Sequence, residues 1–197
     1  MTGKIITISR QFGAGGRTVA HALSEKLGIP CYDKQLITKI AEESGLSEAY
    51  VKKEAESAES AGIFSFLGET DFYGNSNKLE IWKAQCTIIK RLAEEGPCII
   101  VGRCADYVLK DSADLLRVYL YADKEFRKQR AVEVYNEGHD NPDKFLKEND
   151  KRRKAFYDVY TDQKFGDAAN YDICLNAGSL GMETCAEIIA GIYQNQK

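Results

Sequence analysis

The sequence contains no apolar stretch long enough to span a membrane, and only a short apolar run follows Lys4 near its start. We therefore expect no membrane association, no signal peptide and a cytoplasmic location. An excess of positive charge is also missing, because 27 Lys and Arg residues against 30 Asp and Glu residues give a net charge of -3. That balance does not favour a protein that binds nucleic acid.

Paired metal ligands and catalytic histidines are scarce as well. The six cysteines include no C-x-x-C pair, which favours reduced thiols used as small apolar side chains over zinc ligands or disulfides. The only histidines, His21 and His139, have no Ser, Cys or Asp at a spacing that suggests a catalytic partner. We expect neither a zinc site nor a histidine-based catalytic centre.

The stretch from Lys4 to Leu27 carries the strongest pattern in the chain. Its β-branched run from Ile5 to Ile8 predicts a buried strand, and the helical spacing from Val19 onward predicts a helix. Between them lies the turn Gly13-Ala14-Gly15-Gly16, followed by Arg17 and Thr18. Glycines let backbone N–H groups converge, and the positive end of a helix attracts anions. The stretch therefore predicts a cradle for phosphate groups.

This turn can be aligned with the phosphate-binding pattern G-x-x-x-x-G-K-[ST] in two registers. In the first, Gly16, Arg17 and Thr18 are the last three positions, so that Gln11 replaces the first glycine and Arg17 the lysine. In the second, the inner glycines are Gly13 and Gly15, and Gly16 falls at the lysine position. We prefer the first register because it keeps a cation and a hydroxyl that can bind magnesium where phosphate chemistry needs them.

The rest of the chain alternates strands with helices. Further strands are predicted at 29–33, 98–102, 115–121 and 171–175, and most of them are apolar on both faces. Helices are predicted at about 78–95, 124–137, 143–160 and 182–193. This pattern predicts a three-layer α/β/α fold with a five-stranded parallel sheet, without internal repeats.

In such sheets, ligands lie beyond the carboxyl ends of the strands, where two charged residues are expected. Arg103 follows the strand at 98–102 and suits a forked contact with a phosphate group. The alternative is a surface ion pair with Asp106. Asp33 follows the strand at 29–33, where it could hold a base or sugar, activate an acceptor phosphate through magnesium, or only cap the next helix.

A cationic region follows the 115–121 strand. The predicted helices there flank the turn at 138–142 and could form a hinged lid that brings arginines to a phosphoryl group. Acidic residues are interleaved, so only some of the cations are expected to have a functional role, and the others would form a solvated surface. The candidates are Arg127, Arg152 and Arg153.

The segment at 62–77 has aromatic residues among glycines and no steady period. We interpret it as a mobile flap that closes over an acceptor base. Its alternative role is an apolar patch for a partner or for a second copy of the chain, which would make the protein a homodimer.

Four stretches together resemble the nucleoside-monophosphate kinases, and in particular their cytidylate kinase-like branch. Ile8–Arg17 resembles the altered phosphate loop of that branch, in which Arg follows the glycines. Tyr32–Ile37 resembles the start of its monophosphate-binding region, Val101–Leu109 its Gly-Arg segment, and Asp150–Arg153 its D-x-x-R lid segment. Cytidylate kinases have a lysine in the loop and an Asp directly after the Gly-Arg, where this chain has Cys104.

The resemblance implies a single P-loop NTPase domain over 1–197, with a monophosphate-binding insertion at about 34–95 and a lid at about 124–160. It implies ATP and Mg²⁺ as cofactors and phosphoryl transfer to CMP, dCMP or another small acceptor. The alternative is a nucleotide-binding regulatory module that has lost turnover, which the missing lysine favours. The implied roles are phosphate binding by Gly13, Ala14, Gly15, Gly16, Arg17 and Thr18, magnesium binding by Thr18, acceptor binding by Asp33 and Arg103, and catalysis by Arg17, Arg127, Arg152 and Arg153.

Overall fold

The fold is built on one sheet of five parallel strands. A computed structural model describes residues 4–33, 35–49, 51, 77–112, 114–136 and 138–195. The strands are β1 (Ile5–Arg10), β2 (Cys31–Tyr32), β3 (Cys98–Val101), β4 (Leu115–Tyr121) and β5 (Ile173–Asn176). Their spatial order is β2-β3-β1-β4-β5, and every neighbouring pair is parallel. The predicted five-stranded parallel sheet is confirmed.

Helices connect successive strands. They are α1 (Gly16–Leu27), α2 (Gln35–Ser44), α3 (Asn77–Glu95), α4 (Ala105–Val108), α5 (Lys124–Glu133), α6 (Pro142–Tyr160), α7 (Ala177–Leu180) and α8 (Met182–Asn195). The helix predicted over 124–137 ends at Glu133, and the four-residue helices α4 and α7 are too short to give a periodic pattern in the sequence. None of the helices in the described ranges combines the length and the apolar character that a membrane span needs.

Two apolar clusters cover the two faces of the sheet and make the fold three-layered. On one face, α1 and α8 pack on the sheet through Val19, Leu23 and Ile189, which meet Ile6 and Ile8 of β1. On the other face, α2, α3 and α4 supply Leu36, Ile40, Ile88, Ile89 and Ala105, which meet Ile5 and Ile100. Successive residues of a strand point to opposite faces, so β1 contributes to both clusters. The predicted three-layer arrangement is confirmed.

The strand register brings three connections to one edge of the sheet. Ile8 of the central strand β1 is paired with Val101 of β3 and with Val118 of β4. Strand β2 runs parallel beside β3. The turn after β1 therefore opens at the same edge as the residues that follow β2 and β3.

The two helices of the predicted lid begin at well-defined caps. The Asp123 side chain accepts a hydrogen bond from Phe126 N at the start of α5, and the Asn141 side chain accepts one from Lys144 N at the start of α6. Helix α6 meets α3 where the ring of Tyr160 stacks on Trp82, with ring centroids 4.4 Å apart. The lid function assigned to 124–160 stays a prediction.

The predicted monophosphate-binding insertion at 34–95 is described only in part. Helices α2 and α3 share the second apolar cluster. The aromatic flap predicted at 62–77 lies, up to residue 76, outside the described residues. Its roles as a flap or as a dimer surface stay predictions.

Candidate active site

The turn between β1 and α1 has the backbone that the glycines allow. Gly13 and Gly15 have φ of 78° and 80°, in the left-handed region that other residues rarely adopt. Gly15 is the residue before α1, so the helix N-terminus opens directly onto the turn. The residues Gly13 to Gly16 are all buried. A Cβ on Gly13 would lie 2.6 Å from the carbonyl oxygen of Arg127, so α5 packs against this turn.

Arg17 points from the turn towards the end of β2. Its Nε donates to Asp33 Oδ2 in a short ion pair. The Arg17 side chain is 42% exposed and that of Asp33 is 14% exposed, so the pair lies at the rim of the site. The structure thus brings together two predicted site residues, with the Arg17 cation beside Asp33.

Thr18, the predicted magnesium ligand, is exposed on the first turn of α1. Its hydroxyl accepts a hydrogen bond from Arg130 Nη2 at 2.9 Å. In the part of the chain that the structure describes, no three His, Cys, Asp or Glu side chains are grouped so that they could hold a metal ion. Since a guanidinium repels a second cation, Thr18 does not fit a magnesium ligand while Arg130 holds its hydroxyl.

Arg103 lies in a tight turn directly after β3. Gly102, Arg103 and Cys104 all have positive φ, at 75°, 60° and 53°. The side chain of Gln85, on α3, donates to the Arg103 carbonyl oxygen at 2.9 Å, and Gln85 is only 1% exposed. A buried amide that holds a strained backbone fixes the geometry of this turn. Sequence reasoning did not identify Gln85, which looks like any polar residue on a helix.

Phe12 is the point where the predicted lid meets the turn. Asp150 Oδ1 accepts from Phe12 N at 2.7 Å, and Arg127 Nη1 donates both to Asp150 Oδ2 at 2.5 Å and to Phe12 O at 3.2 Å. The Arg127 side chain is only 11% exposed. A carboxylate and a guanidinium thus hold both backbone groups of one residue, which ties α5 and α6 to the turn.

Arg153 reaches the same turn from α6. Its Nη1 donates to the carbonyl oxygen of Arg10 at 3.1 Å, and its guanidinium lies 5.1 Å from the centre of the Phe12 ring. Burial, reinforced by the charge of Arg10, lowers the pKa of Arg153 to about 9. The neighbouring Arg152 is half-buried, and its role stays a prediction.

Arg10, the last residue of β1, is a member of the site that sequence reasoning missed. Burial lowers the pKa of its guanidinium, Asp33 opposes that effect, and the nearby charge of Arg17 adds to it. The available signal was a charged residue at the end of an otherwise buried strand, directly before the glycine turn.

Behind the site, Asp106 is buried rather than at the surface. The Tyr157 hydroxyl of α6 donates to Asp106 Oδ2 at 2.9 Å, and Asp106 is 3% exposed. Burial raises the pKa of Asp106, and the hydrogen bond from Tyr157 opposes that effect. Asp106 thus links the Arg103 turn to helix α6.

Asp106 gives a pH-dependent stability that can be measured. Because its pKa is higher in the folded than in the unfolded protein, the folded state binds the proton more tightly. The free energy of unfolding should therefore fall as the pH rises from the unfolded pKa through the folded one. We expect Asp106→Asn to lose less stability than the wild type between pH 4 and pH 8 in urea titrations. Asp111→Asn, at an exposed position, is the control, and equal slopes in all three proteins would contradict the prediction.

Comparisons with known proteins agree with this geometry. A sequence model of the family described as "Cytidylate kinase-like family" matches residues 5–179. The chain is also 29% identical over 200 residues to the cytidylate kinase of Archaeoglobus fulgidus, which covers 98% of this chain and 96% of that protein. The matched region includes both the glycine turn and the Arg103 turn.

Solved structures with the same fold include a protein and an enzyme of different origin. An uncharacterized protein from Eubacterium ventriosum superimposes with a TM-score of 0.75 and 26% identity, covering 98% of this chain and 99% of that one. Shikimate kinase from Acinetobacter baumannii, in complex with shikimate, gives a TM-score of 0.55 and 19% identity, with 99% and 96% covered. The second likeness is one of fold, and it places the glycine turn in a kinase architecture.

Proposed function

Because the chain belongs to the cytidylate kinase-like family, we propose that it transfers the γ-phosphoryl group of ATP to a nucleoside monophosphate, such as CMP or dCMP. The observation that carries the proposal is the charge around the glycine turn. Arg10, Arg17, Arg127 and Arg153 come from four elements of the fold, whereas the nearby carboxylates are Asp33 and Asp150. An excess of cations around converging backbone N–H groups favours a polyanionic ligand.

The donor phosphates bind at the turn in this proposal. The backbone N–H groups of Gly13 to Thr18 and the N-terminus of α1 hold them, because both direct partial positive charge into the turn. Gly13 and Gly15 keep the backbone in the left-handed conformation that this arrangement needs. ATP is the donor that the resemblance to nucleotide kinases supports.

The acceptor binds on the side of β2 and β3. Arg103 holds the acceptor phosphate, and Asp33 with Arg17 forms the neighbouring rim. The insertion at 34–95 borders this side in our proposal. The transferred group then lies between the Arg103 turn and the glycine turn, which open at the same edge of the sheet.

The lid arginines stabilise the transferred group. Phosphoryl transfer depends on positioning and on neutralising charge spread over the phosphoryl oxygens. Arg153 and Arg127 both contact the turn directly, and Arg152 extends the same helix. We assign Arg127 mainly to anchoring, because Asp150 holds it, and Arg153 to the transferred group.

An acceptor panel tests the proposed function. Purified protein with ATP and magnesium chloride would be assayed for ADP formation with each nucleoside monophosphate, with deoxynucleotides and with small sugars. Acceptor-dependent ADP formation, highest with CMP or dCMP, is the expected result. ATP binding by calorimetry without turnover on any acceptor would replace the proposal with the regulatory module, which the absence of a loop lysine favours.

Arg103→Met tests the acceptor subsite. We expect the KM for the acceptor to rise by about 10- to 100-fold, because a charge-assisted contact with a phosphate is lost, while the KM for ATP stays close to that of the wild type. The measurement is initial rate against each substrate in turn. Arg91→Met is the matched control, since Arg91 is half exposed on α3 and pairs with Glu43. A parallel rise of both KM values would show that Arg103 does not belong to the acceptor side.

A further inference from the structure

We propose that Arg10 binds the phosphoryl group between the glycine turn and the Arg103 turn, and so supplies the cation that the loop lacks. This rests on the proposed function and adds a residue to it. Arg10 ends β1, the central strand, whose carboxyl end lies between those of β3 and β4. Its side chain therefore starts in the middle of the edge where both turns open.

Two glycines make room for the Arg10 side chain. A Cβ on Gly16 would lie 2.8 Å from Arg10 Cγ, and a Cβ on Gly102 would lie 2.0 Å from Arg10 Nη1. The side chain thus passes over the first residue of α1 and places its guanidinium against the residue before Arg103. Any larger residue at position 16 or 102 would collide with it. The guanidinium lies between the proposed donor and acceptor phosphates.

The guanidinium of Arg10 lacks a bonded counter-ion. Asp33 acts on it as a nearby charge but forms its ion pair with Arg17. Within the described ranges, no carboxylate makes an ion pair with Arg10, and Arg153 adds a second cation by donating to its carbonyl oxygen. Although Arg10 keeps some exposed surface, enclosure of its guanidinium by protein lowers its pKa. An enclosed cation without a bonded partner is costly unless an anion binds there.

This arrangement explains the missing lysine of the loop. In the second register, Gly16 stands where the pattern has lysine, and the Arg10 side chain occupies the space in front of Gly16. The cation thus comes from the end of β1 rather than from the start of α1. Arg17, the replacement that the first register favours, is engaged with Asp33. A planar guanidinium can bind two phosphate oxygens at once, which a lysine cannot do in the same geometry.

The test compares stability and phosphate binding in Arg10→Met and Arg10→Gln. If Arg10 is present for an anion, the ligand-free variants should melt at the wild-type temperature or above it, because an enclosed charge has been removed. Their affinity for ATP and for inorganic tripolyphosphate, measured by calorimetry, should fall by about 10- to 100-fold. Arg10→Lys should recover part of the loss. Arg91→Met, which removes an exposed arginine, should change neither quantity.

The outcomes separate this inference from the proposed function. Lower melting temperatures with unchanged tripolyphosphate affinity would show that Arg10 is structural, and failure of both variants to fold would contradict the inference equally. A wild type that binds neither ATP nor tripolyphosphate would overturn both proposals. Loss of tripolyphosphate binding in the variants, with no turnover by the wild type on any acceptor, would leave the role of Arg10 supported and refute the kinase activity.

Discussion

Gly13→Ala should lower kcat/KM for ATP by about 100-fold or more, since a displacement of about 1 Å in a phosphate loop is enough for such a loss. The added Cβ would lie 2.6 Å from the Arg127 carbonyl oxygen and 2.9 Å from the Arg127 Cβ. Because these atoms belong to or adjoin the backbone of α5, the turn or the helix must move. Alanine must also adopt a φ of 78°, which costs about 1 kcal/mol more than for glycine. Steady-state kinetics and urea unfolding would measure both effects.

Gly28→Ala is the matched control for this prediction. Gly28 ends α1 with a φ of 66°, and a Cβ there would have no atom within 4 Å. It therefore reports the cost of the left-handed backbone alone, about 1 kcal/mol, without a collision. We expect Gly28→Ala to keep its kcat/KM. Similar kinetic losses in the two variants would mean that general destabilisation, and not loop geometry, causes the effect of Gly13→Ala.

Arg153→Met should lower kcat by about 100- to 1,000-fold, because one preorganised positive charge is removed from the transferred group. The KM for ATP should change little, since the contact strengthens only as charge develops. Stability should be retained, because the bond lost is a single one to the Arg10 carbonyl oxygen, and burial disfavours the charge of Arg153. Single-turnover rates, with melting temperatures beside them, are the measurement.

Lys154→Met is the control for Arg153→Met. Lys154 is the next residue on α6, where it is exposed and pairs with Asp158. Removal of its charge should leave kcat within about twofold of the wild type, because exposed ion pairs contribute little. A large fall in the melting temperature of Arg153→Met, with kcat unchanged, would assign Arg153 to holding the lid on the turn.

The sheet and the main helices could be predicted from the sequence because their signals are local. The apolar run at 115–121 predicts β4 within its observed bounds, and the period of 3.6 at 78–95 predicts α3 to within one residue. The carboxyl-edge rule then placed the glycine turn, Asp33 and Arg103 on one side. The family match and the kinase fold agree with that prediction.

The side-chain partners inside the site could not be predicted, because they depend on contacts between residues far apart in sequence. Asp150 holds Phe12 across 138 residues, and Arg130 holds Thr18 across 112. The motif pattern drew attention to Arg17, whereas Arg10 looked like the end of a strand. Only the three-dimensional arrangement shows that the Arg10 side chain fills the space beside Gly16 and Gly102.

The most direct test of a phosphoryl transferase is to follow the phosphorus atoms themselves. A ³¹P NMR time course of the wild-type protein with ATP, magnesium chloride and CMP would show where the γ-phosphoryl group goes. We predict that the ATP γ signal is replaced by the β signal of CDP, in equal amount to the ADP formed, and that Arg103→Met slows this at low CMP. ATP that stays intact with every nucleoside monophosphate, or that yields only inorganic phosphate, would contradict the account.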